Sequence, residues 1–318
     1  MVGPLISSPI MPEFTPPAEP RQRSTLTQQF GLHSLKESTF VAQLQRAVSI
    51  ALEEDIGSGD ITAALIPAQQ RAQAVVISRE AAVICGRPWV DEVFAQIDKS
   101  VEIEWLVSEG ERVQPDQPLL RLRGATRTLL TGERCALNFL QTLSGTATIA
   151  SEYAALAAPA GIAVLDTRKT LPGLRYAQKY AVAVGGGYNH RIGLFDAFLI
   201  KENHIAGCGS IASAVATARQ QAPERMVEVE VETLEELDQA VAAGADRIML
   251  DNFSTQQMAA LSQRSLGNCE IEISGNIEAA ALSDLADSQV HFVSSGALTK
   301  HLRAVDLSMR LEVLPELK

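Results

Sequence analysis

Apolar and polar positions fall into two textures along this chain. From Ser38 to Glu53, Val41, Leu44, Val48 and Leu52 recur at near-helical spacing, which predicts an amphipathic helix with Ser38 as its cap. "DIGSGDIT" then interrupts the pattern as a Gly-rich loop. "AQAVVISREAAVICG" predicts two strands, "RPWVDEVFAQI" a helix and "VEIEWLV" an extended segment, so the region mixes strands and helices as an α+β layer does. "EGERVQPDQPLLRLRG" carries the glycine, valine and leucine spacing of a biotinyl or lipoyl carrier hairpin. It contains no lysine to modify, so the carrier function is excluded and only the strand pairing is retained.

A long helical stretch begins at Ala125, with Gly145 as a candidate break. Beyond it the texture changes. Short apolar runs ("IAVLDTRK", "AFLIKENH", "MVEVEVET", "RIMLDNF", "EIEISGN", "VHFVSSG") alternate with helical segments such as "LEELDQAVAAGA". Repeated βα units predict a parallel sheet with right-handed crossovers. Six are visible, with room for a hidden seventh, and closure into an α/β barrel is expected; an open doubly wound sheet is the alternative.

Net charge of -11 and a pI near 5.0 argue against a nucleic-acid binder. No apolar run approaches the ~20 residues of a membrane helix. Residues 1–33, rich in Pro and Ser, are expected to form a flexible tail. The four cysteines form no C-x-x-C pair, which speaks against structural zinc or a disulfide framework and for a reducing cytoplasm.

Polar residues end every barrel strand: Asp166-Thr167-Arg168-Lys169, Lys201-Glu202-Asn203-His204, Glu230 with Glu232, Asp251-Asn252, Ser274-Gly275-Asn276 and Ser294-Ser295-Gly296. Barrel enzymes place their chemistry at the carboxyl ends of the strands, so these groups converge. Arg168, Lys169, His190, Arg191 and Lys201 make a cationic cluster in an acidic protein, which suits an anionic substrate. Glu230 and Asp251 suit a divalent cation bridged to phosphate oxygens. The small residues of "SGN" and "SSG" leave backbone N–H groups open to phosphate. There is no Walker loop, G-x-G-x-x-G, H-E-x-x-H or G-x-S-x-G. Spacing alone gives a barrel enzyme with phosphate, metal and anion subsites. It does not name the reaction, and a Schiff-base aldolase using Lys201 or a non-catalytic phosphometabolite binder remains open.

"LDTRKTLPGLRYAQKYAVAVGGGYNHRIGLFDAFLIKENHI", with "GERCALNFLQTLSG", "EVEVETLEELDQAVAAGADRIMLDNF", "EISGNI" and "GALTKH", resembles the quinolinate phosphoribosyltransferase family. The molybdenum-related relatives that share its fold, with a different acceptor, are the alternative. The resemblance implies an α/β sandwich over 34–132, an incomplete barrel of about seven strands over 133–303, and a segment over 304–318 returning to the first domain. It implies phosphoribosyl transfer from phosphoribosyl pyrophosphate to quinolinate with loss of carbon dioxide, Mg²⁺ as cofactor, and a homodimer. On this chain, Arg168, His190, Arg191 and Lys201 would hold quinolinate, Lys169 would lie close to both substrates, and Arg134 would reach in from the partner subunit. Glu230 and Asp251 would handle ribose and magnesium, partly through water or substrate. Ser274, Gly275, Asn276, Ser295 and Gly296 would surround the phosphates. Ser295 departs from the larger apolar residue or glycine expected before "GALTK".

The alternation in "VEVEVET" separates its three acids. Glu230 is expected at the site. Glu228 is expected deeper on the same face, needing Lys201 or another buried cation, and Glu232 at the cap of the following helix.

Overall fold

The computed structural model describes residues 36–275 and 288–315. The expected tail and Asn276 lie outside the described residues.

The first layer opens with α1 (Glu37–Ile56), which buries Phe40, Leu44, Val48 and Leu52. Its N-cap is Lys36 and not Ser38, and no side chain caps it. Apolar burial therefore holds this helix, with Phe40 at the core position assigned by periodicity to Val41. There follow β1 (Arg71–Ser78), β2 (Ala82–Val83), α2 (Arg87–Ile97), β3 (Glu102–Trp105), β4 (Arg112–Val113) and β5 (Pro118–Ala125). The expected hairpin of "EGERVQPDQPLLRLRG" does not form. β4 pairs with β2, whereas both edges of β5 are taken by β1 and β3. The C-terminal strand β12 (Leu307–Val313) adds antiparallel to β1, giving the order β12-β1-β5-β3.

α3 (Thr126–Ala157) runs unbroken through Gly145. A Cβ there would stand 2.2 Å from the Arg303 carbonyl oxygen, so glycine serves the crossing of the C-terminal segment and not a kink. One end of α3 buries Leu129, Leu137, Leu140 and Leu143 in the first core. The other buries Ala150 and Ala157 in the barrel core.

The barrel comprises β6 (Ala163–Leu165), α4 (Arg175–Val184), β7 (Phe198–Ile200), α5 (Glu202–Cys208), α6 (Ile211–Gln221), β8 (Val227–Val231), α7 (Leu234–Ala243), β9 (Arg247–Asp251), α8 (Thr255–Leu261), β10 (Glu270–Ser274), β11 (Phe292–Ser294) and α9 (Ala297–Lys300). Its six strands are parallel in the order β6-β11-β10-β9-β8-β7. The first strand pairs with the last, so the order is cyclic with one open seam between β6 and β7. A doubly wound sheet would instead reverse its order at mid-sheet. At the seam, Tyr188 makes a single parallel bridge to Leu165 in place of a full seventh strand. Along β8, Val227, Val229 and Val231 pack outward against the helices, and Glu228 and Glu230 face inward. Thr233, not Glu232, caps α7, through a capping box with Glu236.

Candidate active site

Two adjoining cavities open at the carboxyl ends of the strands and share Thr167, Lys169, Lys201, Glu230, Ser274 and Ser294 as a common wall. The larger, about 600 Å³, adds Asp251, Asn252, Gly275, Ser295 and Gly296. The smaller, about 270 Å³, adds Arg168, His190 and Arg191. The anion-type and phosphate-type residues read from sequence therefore come together in one cleft. Arg134 does not join them: it is exposed on α3 and lines neither cavity. Sequence reasoning missed Tyr153, which reaches the larger cavity from α3, and Lys300 and His301 at its rim. Tyr153 carries no local signal, because it sits in a helical pattern remote from any strand end.

The larger cavity is shaped by backbone. Asn252 takes φ 52 directly after β9, a left-handed turn that asparagine tolerates. A Cβ at Gly296 would lie 2.8 Å from Lys169 Cδ, so glycine gives that lysine its path into the cleft. Ser295 Oγ accepts the Ala297 N–H at 3.2 Å, which uses the hydroxyl of the residue that departs from the family pattern.

The smaller cavity is built on buried charge. Asp166 is fully buried. It accepts hydrogen bonds from Lys179 Nζ, from Asn189 Nδ2 at 2.7 Å and from the His190 N–H at 2.8 Å. Burial pushes Asp166 up and Lys179 down, each opposed by the charge of the other. His190 Nδ1 accepts the Arg191 N–H at 2.7 Å, and its Nε2 lies 2.9 Å from Glu228 Oε2. Both ring nitrogens thus face protein. Burial holds His190 down at about 4, so at neutral pH it is an uncharged imidazole. Arg191 Nη1 donates to the Ala197 carbonyl at 3.2 Å. Its Nε is buried and has no hydrogen-bond partner among the described residues.

Below the cleft, Arg247 donates to Glu270 (2.8 Å) and Glu272 (3.4 Å), and its guanidinium lies over the Phe292 ring. Glu228 has His190 beside it, and the buried cation it was expected to need is Arg247 and not Lys201, whose Nζ is ion-paired with Glu230. That pairing also occupies the amine a Schiff-base mechanism would need. Arg247, Glu270 and Glu272 escaped the sequence reading because charged residues at strand interiors read as exposed positions.

Burial pushes Glu228 and Glu272 up to about 7, against the pull of Arg247. The folded state consequently binds more protons than the unfolded state between about 4.5 and 7. This contribution is full below the unfolded value and is lost as pH rises through the folded one. The melting temperature is expected to fall as pH rises from about 4.5 to 7 and to level off above that, and Glu272→Gln is expected to flatten the slope in a thermal-melt series.

An incomplete barrel with a cationic and a glycine- and serine-lined cavity in one cleft at the strand ends has the form of an enzyme for small anionic substrates. The comparisons are more particular. Residues 60–144 match the family described as "Quinolinate phosphoribosyl transferase, N-terminal domain", and residues 146–310 match its C-terminal domain. A Bacillus subtilis protein named "Probable nicotinate-nucleotide pyrophosphorylase [carboxylating]" is 39% identical over 84% of this chain and 93% of its own length. A relative from Nicotiana glauca, "Quinolinate phosphoribosyltransferase [decarboxylating] 1", is 36% identical over 85% of this chain and 82% of its own. The solved nicotinate-nucleotide pyrophosphorylase of Francisella tularensis is 46% identical with a TM-score of 0.80, covering 85% of this chain and 96% of that one. The chain belongs to the quinolinate phosphoribosyl transferase family.

Proposed function

We propose that this protein transfers the phosphoribosyl group of phosphoribosyl pyrophosphate to quinolinate, with decarboxylation, giving nicotinate mononucleotide, pyrophosphate and carbon dioxide for NAD synthesis. The observation that carries the reading is the shared wall. A cavity lined by Arg168, His190 and Arg191 meets an acid- and glycine-lined cavity across Lys169, Lys201 and Glu230. The names of the relatives support the same reaction.

Quinolinate is a dianion, and Arg191, Arg168 and the two lysines offer it matched donors. The ring nitrogen attacks the ribose carbon, and the bond to pyrophosphate breaks with its electron pair leaving on oxygen. Glu230 and Asp251 line the cavity where positive charge grows on the ribose and stabilise it. The pyridinium then draws electrons from the bond to the adjacent carboxylate, which leaves as carbon dioxide, and a proton takes its place. Lys201 and the arginines bind and orient. The buried carboxylates beneath the pocket keep His190 and Arg247 in register.

Mg²⁺ fits this donor set as a companion of the substrate. Glu230 and Asp251 supply two carboxylates at the larger cavity, the number Mg²⁺ takes when phosphates and water complete its shell. When bound, it neutralises charge on the departing pyrophosphate. The protein is read as cytoplasmic, in keeping with its four free cysteines. Among the described residues no helix is long and apolar enough to cross a membrane.

The deciding experiment supplies labelled quinolinate, phosphoribosyl pyrophosphate and Mg²⁺ and counts released carbon dioxide. Release that chelation abolishes and Mg²⁺ restores is the expected result; no release from wild-type protein sinks the proposal. The exposed Arg134 is read as serving a second subunit of a homodimer. Arg134→Ala and Arg191→Ala proteins, each inactive alone, are expected to regain up to about a quarter of wild-type activity after subunit mixing, by random pairing of two protomers. A mixture as inactive as its parents shows that Arg134 does not act across a dimer.

A further inference from the structure

The two arginines of the smaller cavity sit on different loops, joined directly where Asp166 accepts from Asn189 and from the His190 N–H. Arg168 follows β6, and Arg191 lies at the seam beyond α4. One face of α4 grips both loops. Arg175 Nη1 donates to the Ile192 carbonyl at 3.2 Å, and its Nη2 donates to the Arg168 carbonyl at 3.4 Å. Its Nε donates to Thr170 Oγ1 at 3.2 Å. Gln178 Oε1 accepts the Leu171 N–H at 2.7 Å. One residue on, Lys179 Nζ donates to the His190 carbonyl at 2.8 Å and to Asp166. Positions three and four apart share one helical face, so a single rigid element holds the backbone on either side of the cavity.

This tie has work to do. Two guanidiniums that face one cavity repel each other, and the Arg168 charge, after burial, helps depress Arg191 from its usual value. Without α4 the spacing of the two arginines would rest on the Asp166 bonds to Asn189 and His190 alone, and any spread would cost affinity at each binding event.

We infer that α4 is a positioning element, acting through Arg175, Gln178 and Lys179, that fixes the spacing of Arg168 and Arg191 and so selects a ligand with two adjacent carboxylates over one with a single carboxylate. The inference rests on the quinolinate reading above. Its distinctive consequence is selectivity: a ligand that needs only one arginine is indifferent to the spacing between two.

The test uses Arg175→Met, a half-buried position where the aliphatic stem is kept and the three donated bonds are lost. The KM for quinolinate is expected to rise on the order of tenfold or more, as misplacement of binding groups commonly costs. The KM for phosphoribosyl pyrophosphate and the affinity for nicotinate, a monocarboxylate of the same ring, should stay within about twofold. Arg175→Lys, which retains a donor to one of the loops, is expected to recover part of the loss. The double variant Asp166→Asn/Lys179→Met removes the buried charges together and is expected to show the same selective loss if it folds. Equal losses for quinolinate and nicotinate, or no loss in Arg175→Met, would overturn the inference. Calorimetric binding of both ligands to wild type and variant reads α4 even without turnover, so a failure of the proposed reaction remains distinguishable from a failure of this tie.

Discussion

Arg191→Ala is expected to abolish most quinolinate binding while leaving use of phosphoribosyl pyrophosphate near normal. Arg191 is 8% exposed, it lines the smaller cavity, and its guanidinium donates to the Ala197 carbonyl of its own loop. Truncating one partner of a buried, hydrogen-bonded charge pair costs about 2–5 kcal/mol, so the KM or Kd for quinolinate should rise on the order of a hundredfold or more. Titration calorimetry with quinolinate reads this directly. Binding unchanged from wild type would remove Arg191 from the anion subsite.

Glu230→Gln produces the other large effect, on the rate. The amide keeps the shape of the side chain and removes its charge. In the resting site that charge is answered by Lys201; in the reaction proposed above it would face the ribose. An electrostatic group aimed at developing charge is worth roughly 10²–10³ in kcat. The expected result is a drop of that order in kcat with a raised KM for phosphoribosyl pyrophosphate and little change for quinolinate. Wild-type turnover in the variant would show that the acidic pair is not part of the chemistry.

How much of this was visible in the sequence depended on whether the chemistry lay in short-range pattern. The barrel was legible because each βα unit repeats the same apolar run with a polar end, and the strand ends named most of the cleft. The single bridge at Tyr188 was not, because one bridging residue has no periodicity to detect. The hairpin around Pro118 failed for a related reason: proximity in sequence favoured pairing β4 with β5, and β1 and β3 offered β5 longer ladders. The buried network was legible only in part: Glu228 was expected inside with a buried cation, whereas Arg247 and Glu272 were not. Glu228, Arg247 and Glu272 pay for their desolvation only in one another's company, and alternation along a single strand does not show which charges on neighbouring strands will meet.

The return of β12 onto β1 decides how this chain can be cut. Sequence similarity divides it near residue 145, as if two pieces had been joined there. Yet the leading piece lacks a strand that the trailing piece carries, and α3 is shared between the cores of both. An isolated leading piece would offer β1, with Ala72, Ala74 and Val76 on its buried face, as a bare strand edge to any passing chain. The two halves are thus obligate companions in expression: the leading piece cannot be made alone without leaving a sticky edge behind.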